Sequence, residues 1–180
     1  MKQKSKKPHS KTVNQLQTEL KSEVVSIVRV LGDKHLTLGF AESCTGGLLS
    51  SYFTEQAGVS SVFMGSIISY DDKVKQKFLE VSKETLKLKG AVSFETVKQM
   101  AVGAVKALEV AVAVSITGIA GPTGGSATKP VGTVFIAVAG LEIETQAFEH
   151  HFFGDRKHVQ LQSCIEAVKH LNEFVKIIKT

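Results

Sequence analysis

The chain has 180 residues, 43% hydrophobic and 22% charged, with a formal charge of +5. That length and balance describe one ordinary globular domain with room for a full core. They exclude a membrane-spanning helix, since no run approaches the roughly 20 apolar residues a span requires, and two cysteines, Cys44 and Cys164, exclude a disulfide framework.

Much of the positive charge sits in Lys2, Lys4, Lys6, Lys7 and Lys11, with no acid before Glu19. No apolar stretch follows these lysines, so they do not open a secretory signal. No aromatic residues interleave them. Residues 1–12 are therefore expected to be a disordered, solubilising tail rather than a nucleic-acid arm. Residues 13–180 are expected to form a single domain in the reducing cytoplasm.

Apolar residues at Val13, Leu16, Leu20, Val24, Val25, Ile27, Val28 and Leu31 have helical spacing, closed by Gly32. Leu36 to Ala41 reads as a buried strand. Thr45 to Gln56 reads as a helix opened by Gly46 and Gly47. Val62 to Tyr70 is a second strand, and Asp71 to Leu79 a short helix. Ser93 is the expected cap of a helix reaching Leu108, with Val97, Met100, Ala101, Ala104, Val105 and Leu108 inside. Val110 to Thr117 is a continuous apolar run, as in a strand buried on both faces. The glycine-rich stretch from Gly118 to Ser126 is a loop. Gly132 to Ala139 and Glu142 to Phe152 read as strands joined by a turn at Gly140, and a helix runs from about Asp155 to Ile178. Helices separate most of the strands. The pattern predicts an α/β fold, a three-layer α/β/α sandwich on a mixed, mostly parallel sheet.

Two glycine-rich turns, Glu42 to Gly47 and Thr117 to Ser126, each follow a strand. In open α/β sheets ligands bind beyond the carboxyl ends of the strands, so parallel strands would bring both turns to one pocket. Neither turn carries a dinucleotide, P-loop or Gly-x-Ser-x-Gly fingerprint. The first turn holds Ser43, Cys44 and Thr45 in a row, and its backbone N–H groups suit an anion or a reaction oxyanion.

Ser43 reads either as a nucleophile or as a helix cap. A neutral lysine amine is a workable base for it, and Lys75 and Lys73 are equally eligible by sequence. Tyr70, at a strand end, either relays a proton or packs. Cys44 is a rival nucleophile, but no histidine is placed to activate it. Glu42 is either a base or a hydrogen-bond partner of its own turn. Arg156 either clamps a phosphate or pairs at the surface. The six histidines, among them adjacent His150 and His151, lack the spacing of a zinc site.

Taken together, these segments resemble the C-terminal domain of the CinA family, the nicotinamide-nucleotide amidases. The resemblance rests on Ala41-Glu42-Ser43-Cys44-Thr45-Gly46-Gly47, on Ile68-Ser69-Tyr70 with Lys75, and on Gly90-Ala91-Val92-Ser93. It continues through Ser115-Ile116-Thr117-Gly118-Ile119-Ala120-Gly121-Pro122, Lys129-Pro130-Val131-Gly132-Thr133-Val134 and Phe153-Gly154-Asp155-Arg156. It runs from about residue 15 to 178. It implies hydrolysis of the carboxamide of nicotinamide mononucleotide to nicotinic acid mononucleotide and ammonia, in pyridine-nucleotide recycling. It also implies a Ser–Lys amidase with a helping tyrosine, at Ser43, Lys75 and Tyr70, and this selects Lys75 over Lys73.

No metal or organic cofactor is expected. Glu42, Cys44, Thr45, Gly46, Gly47, Thr117, Gly118, Gly121 and Arg156 are the expected substrate-binding residues. The partner is then a small pyridine nucleotide, with no membrane or nucleic acid, in a homo-oligomer taken to be a dimer. The alternative is a non-catalytic nucleotide- or partner-binding module of the same fold.

The chain departs from the family pattern in three places. Thr123 stands in a loop that more commonly reads Gly-Pro-Gly-Gly. Asp-Asp-Lys-Val precedes Lys75 where Ser-Asn-Glu-Ala is usual, which sets acid beside the base. The large N-terminal domain of full CinA proteins is missing, so the expectation is a stand-alone amidase domain.

Overall fold

In the computed structural model, which describes residues 11–178, Thr12 caps the first helix, α1 (Val13–Asp33). Its side chain accepts from the Gln15 N–H while the Gln15 side chain accepts from the Thr12 N–H, a reciprocal capping box. Lys11 pairs with Glu19 on the same helix. Most of the expected tail, residues 1–10, lies outside the described residues.

The chain then forms β1 (Leu38–Glu42), α2 (Leu48–Thr54), a single 3-10 turn, β2 (Phe63–Ile68), α3 (Asp72–Leu79), α4 (Lys83–Lys89) and α5 (Phe94–Leu108). It finishes with β3 (Val112–Gly118), β4 (Thr133–Gly140), β5 (Ile143–His151) and α6 (Arg156–Ile177). The sheet order is β2-β1-β3-β4-β5. β1 pairs parallel with β2 and β3, while β4 runs against both β3 and β5. Four strands thus share one direction and one opposes them, the mixed sheet that the closing hairpin implies.

Alternation along the strands sorts side chains by size. Leu38, Phe40, Val112, Val114, Ile116, Val134, Ile136 and Val138 face the core shared with α1, α2 and α6. The opposite face carries Ala41, Ala113, Ala137 and Ala139, with Phe135 and half-buried Ile67 the large residues, and packs on α3 and α5. Small residues let α5 lie close to the sheet, close enough for Ser115 Oγ to donate to the Val97 carbonyl at 2.6 Å. At Gly103 a Cβ would stand 2.0 Å from the Leu79 carbonyl oxygen. Gly103→Ala is therefore expected to cost roughly 1–3 kcal/mol of stability by forcing α3 and α5 apart, read as a lower urea midpoint. Among the described residues no helix is long and apolar enough to cross a membrane.

Three elements differ from the sequence reading. The helix expected from Thr45 begins at Leu48, because Gly46 (φ +61) and Gly47 (φ +92) both adopt left-handed backbone, which a helix cannot include. The turn between β4 and β5 is Leu141-Glu142, since Gly140 still pairs with Ile143. Helix α4 was not foreseen. It is seven residues long with no buried side chain, so it has no apolar stripe to betray it. Its cap, Ser82 accepting from the Thr85 N–H, and its terminal Gly90 are the signals that mark it.

Candidate active site

Parallel pairing of β1 with β3 brings their carboxyl ends side by side, at Glu42 and Ile116. The first residue beyond β1 is Ser43, and its N–H donates to the Ile116 carbonyl at 2.9 Å, so the turn starts from a fixed point. The turn is held again from α6, where Gln160 Nε2 donates to the Cys44 carbonyl at 2.9 Å. Gln160 is far from the turn in sequence and was not identified there.

Glu42 closes the other side. Its carboxylate is fully buried and accepts from the N–H groups of Gly47, Leu49 and Ser50 and from the Ser50 hydroxyl. The chain's own carboxylate therefore fills the α2 N-terminus, as an anion there should. The anion at this helix end is thus the chain's own, and of the two readings of Glu42 the structure shows the second: it organises its own turn. Glu42→Ala is expected to strand these donors and cost roughly 3–5 kcal/mol of stability, measured by denaturant unfolding.

The amine of Lys75 approaches Ser43 from α3. Lys75 and Leu79, one turn apart, form the inner face of that helix, while Lys73 is exposed, so of the two lysines it is Lys75 that faces Ser43. Lys75 is 1% exposed, as deeply buried as the apolar core. Its Nζ donates to the carbonyls of Ser69 at 2.8 Å and Tyr70 at 3.1 Å, and lies 3.3 Å from Ser43 Oγ. A neutral amine has two N–H groups and one lone pair. With both N–H groups on the two carbonyls, the lone pair is the group left for the serine hydroxyl. Burial lowers the pKa of Lys75 below its ordinary value of 10.5; Asp72, with Oδ1 3.7 Å away, and Asp71 oppose this but do not reverse it. The acidic residues that set this chain apart thus moderate the shift.

Tyr70 is placed differently from expectation. Its carbonyl holds Lys75, but its side chain is 66% exposed and its phenol makes no hydrogen bond to Ser43 or Lys75. Cys44 is buried, and burial pushes its thiol up to about 12, so it stays protonated and inert as a nucleophile.

These groups open onto a cleft of about 300 Å³. Ser43, Cys44, Tyr70 and Lys75 line it together with Thr117, Gly118, Gly121 and Arg156, and with Ala91 and Thr123. Glu42, Thr45, Gly46 and Gly47, expected among the binding residues, do not line this cleft. The Thr117 hydroxyl donates to the Ala91 carbonyl at 2.9 Å, and Lys129 Nζ donates to the Val92 and Lys89 carbonyls. The second glycine loop and the turn before α5 are thereby tied together. An Arg156 N–H donates to the Gly121 carbonyl at 2.8 Å, which sets a guanidinium with further donors at the rim.

Residues 19–175 match the family model of the CinA C-terminal domain. A CinA-like protein of Thermotoga maritima is 43% identical over 150 residues, 83% of this chain and 36% of that protein. One from Leptospira interrogans is 50% identical over 124 residues, 69% of this chain and 30% of its own length. The chain thus spans about a third of the length of the curated relatives it matches. Among solved structures, the competence/damage inducible protein of Agrobacterium tumefaciens superposes with a TM-score of 0.84 at 36% identity, covering 86% of this chain and 94% of that one. A CinA superfamily protein of Escherichia coli gives 0.83 at 28% identity, covering 91% and 97%.

Proposed function

We propose that this chain, which belongs to the CinA C-terminal domain family, is a cytoplasmic serine–lysine amidase acting on the carboxamide of nicotinamide mononucleotide. The observation that carries this reading is the buried Lys75 amine, 3.3 Å from Ser43 Oγ at the edge of the cleft, with its other two bonds to carbonyls. A buried amine beside a hydroxyl is the pairing that activates a serine without histidine.

In this mechanism Ser43 Oγ attacks the carboxamide carbon as its proton passes to Lys75. The oxygen of the tetrahedral intermediate takes the negative charge. Among the N–H groups of residues 43–47, those of Cys44 and Thr45 meet neither a backbone carbonyl nor the Glu42 carboxylate among the described residues. Of the two, Cys44 borders the cleft, and its N–H is the donor assigned to that oxygen, in place of the N–H groups further along the turn; such a donor is worth about 3–4 kcal/mol in comparable sites. Lys75 returns its proton to the departing nitrogen, the C–N bond breaks and ammonia leaves. Water then attacks the ester on Ser43, with Lys75 again as base, and releases the carboxylic acid.

A cleft of about 300 Å³ lies at the small end of ligand sites, which favours a mononucleotide over a dinucleotide. Arg156 at the rim is the cation for its phosphate, and the Gly118–Gly121 backbone borders its ribose. Tyr70, exposed at the edge of the cleft, is assigned to cover the ring rather than to move a proton.

The test is turnover of nicotinamide mononucleotide by the purified chain with chelator present. Equal amounts of ammonia and nicotinic acid mononucleotide are expected. Binding of the nucleotide without turnover would instead identify a binding module.

A further inference from the structure

We propose that His150, Glu166 and His170 form a zinc-binding site, separate from the serine–lysine pair, that staples β5 to α6. One ligand atom from each of the three side chains lies within 4.8 Å of the other two. The sequence conceals this grouping. His150 and His151 point to opposite faces of β5, and the partner of His150 is neither adjacent nor in a zinc-binding spacing. It is His170, with the two Nε2 atoms 2.8 Å apart. Glu166 and His170 are four residues apart on α6 and so share one face of that helix.

The cluster is held in place before any ion arrives. Phe148 stacks on the His170 ring, with centroids 3.6 Å apart and planes 2° apart. Phe152 lies parallel to His150 at 5.2 Å. Locked rings reduce the ordering that binding requires. Two imidazoles and one carboxylate are the donor set of many zinc sites with an open fourth position. Glu166 lines a separate cleft of about 270 Å³ between α1, α6 and the end of β5, which gives an ion a route from solvent.

Nitrogens bound at about 2.0–2.1 Å to a tetrahedral zinc lie roughly 3.3 Å apart. The two rings therefore need to separate by about half an ångström. At 2.8 Å one Nε2–H donates to the other Nε2, so binding moves that proton to the Nδ1 of its own ring and frees both lone pairs. Lys169 opposes the cation. It contacts one Glu166 oxygen at 2.9 Å, but it also reaches Glu19 at 3.4 Å, and the second Glu166 oxygen remains for the ion.

The experiment is calorimetric titration of the tag-free full chain, first stripped with chelator, against zinc chloride, with cobalt(II) absorption as a second readout. The expected result is one zinc per chain and an intense visible band from tetrahedral cobalt. Glu166→Gln and His170→Asn, each shown folded by circular dichroism, should weaken binding by more than about tenfold, the smallest loss typical even of an outer-shell partner. If the variants fail to fold, the wild-type cobalt spectrum decides. No zinc heat and only the pale octahedral cobalt spectrum would overturn the proposal. So would undiminished binding by folded His170→Asn.

Discussion

Ser43→Ala is expected to lower ammonia release from nicotinamide mononucleotide by about 10⁴-fold or more, while nucleotide affinity changes little. The size follows from removing the only protein atom that forms a bond to the substrate carbon in this mechanism. In serine enzymes such a loss leaves only the catalysis supplied by binding and oxyanion donors. Binding should survive because the turn does not depend on the Ser43 hydroxyl. The turn is held by the Ser43 N–H on Ile116, by Gln160 on the Cys44 carbonyl, and by Glu42 beneath α2. Steady-state ammonia assay and calorimetric nucleotide titration on the same preparations separate the two effects. Release that persists in Ser43→Ala would assign the nucleophile elsewhere, although the Cys44 thiol, pushed up to about 12, is poorly placed to take over.

Lys75→Met should lower kcat/KM by about 10²–10⁴-fold, the range for loss of a general base. Methionine keeps much of the stem's bulk in a site with 1% exposure, so the loss should be chemical more than structural. The pH profile carries the sharper information. Lys75 acts only when neutral, so the wild-type rate should rise with pH and level off above the lysine's pKa. Burial sets that midpoint below 10.5. The variant should lose this rise. Asp72→Asn removes a carboxylate that favours the charged amine, so the wild-type midpoint should move to lower pH in that variant. A shift to higher pH would contradict the arrangement.

Where sequence pattern and physics coincide, the fold is legible. The alternation of large and small residues along Val112–Gly118, the capping serine before α5 and the two glycine turns after strands all lie where local chemistry puts them. The family motifs also marked Ser43, Lys75 and Arg156, and all three border one cleft. What escaped reading depends on contacts between distant segments. Glu42 reads from sequence as a base or as a partner of its own turn, and the backbone path through Gly46 and Gly47 is what sets its carboxylate at the end of α2. Tyr70 was assigned for its phenol, yet its carbonyl makes the contact with Lys75, and sequence cannot distinguish the two. Gln160 and His170 gain their partners only when α6 packs on the sheet.

The central claim is that the Lys75 amine activates Ser43, and the most direct test is labelling with a fluorophosphonate, which needs no substrate. The predicted result is one phosphonyl adduct per chain on the peptide carrying Ser43. Its rate should rise with pH to a plateau with a midpoint below 10.5, and Lys75→Met should slow it by about 100-fold or more. An adduct on Cys44, or labelling of Ser43 equally fast without the lysine amine, would contradict the account.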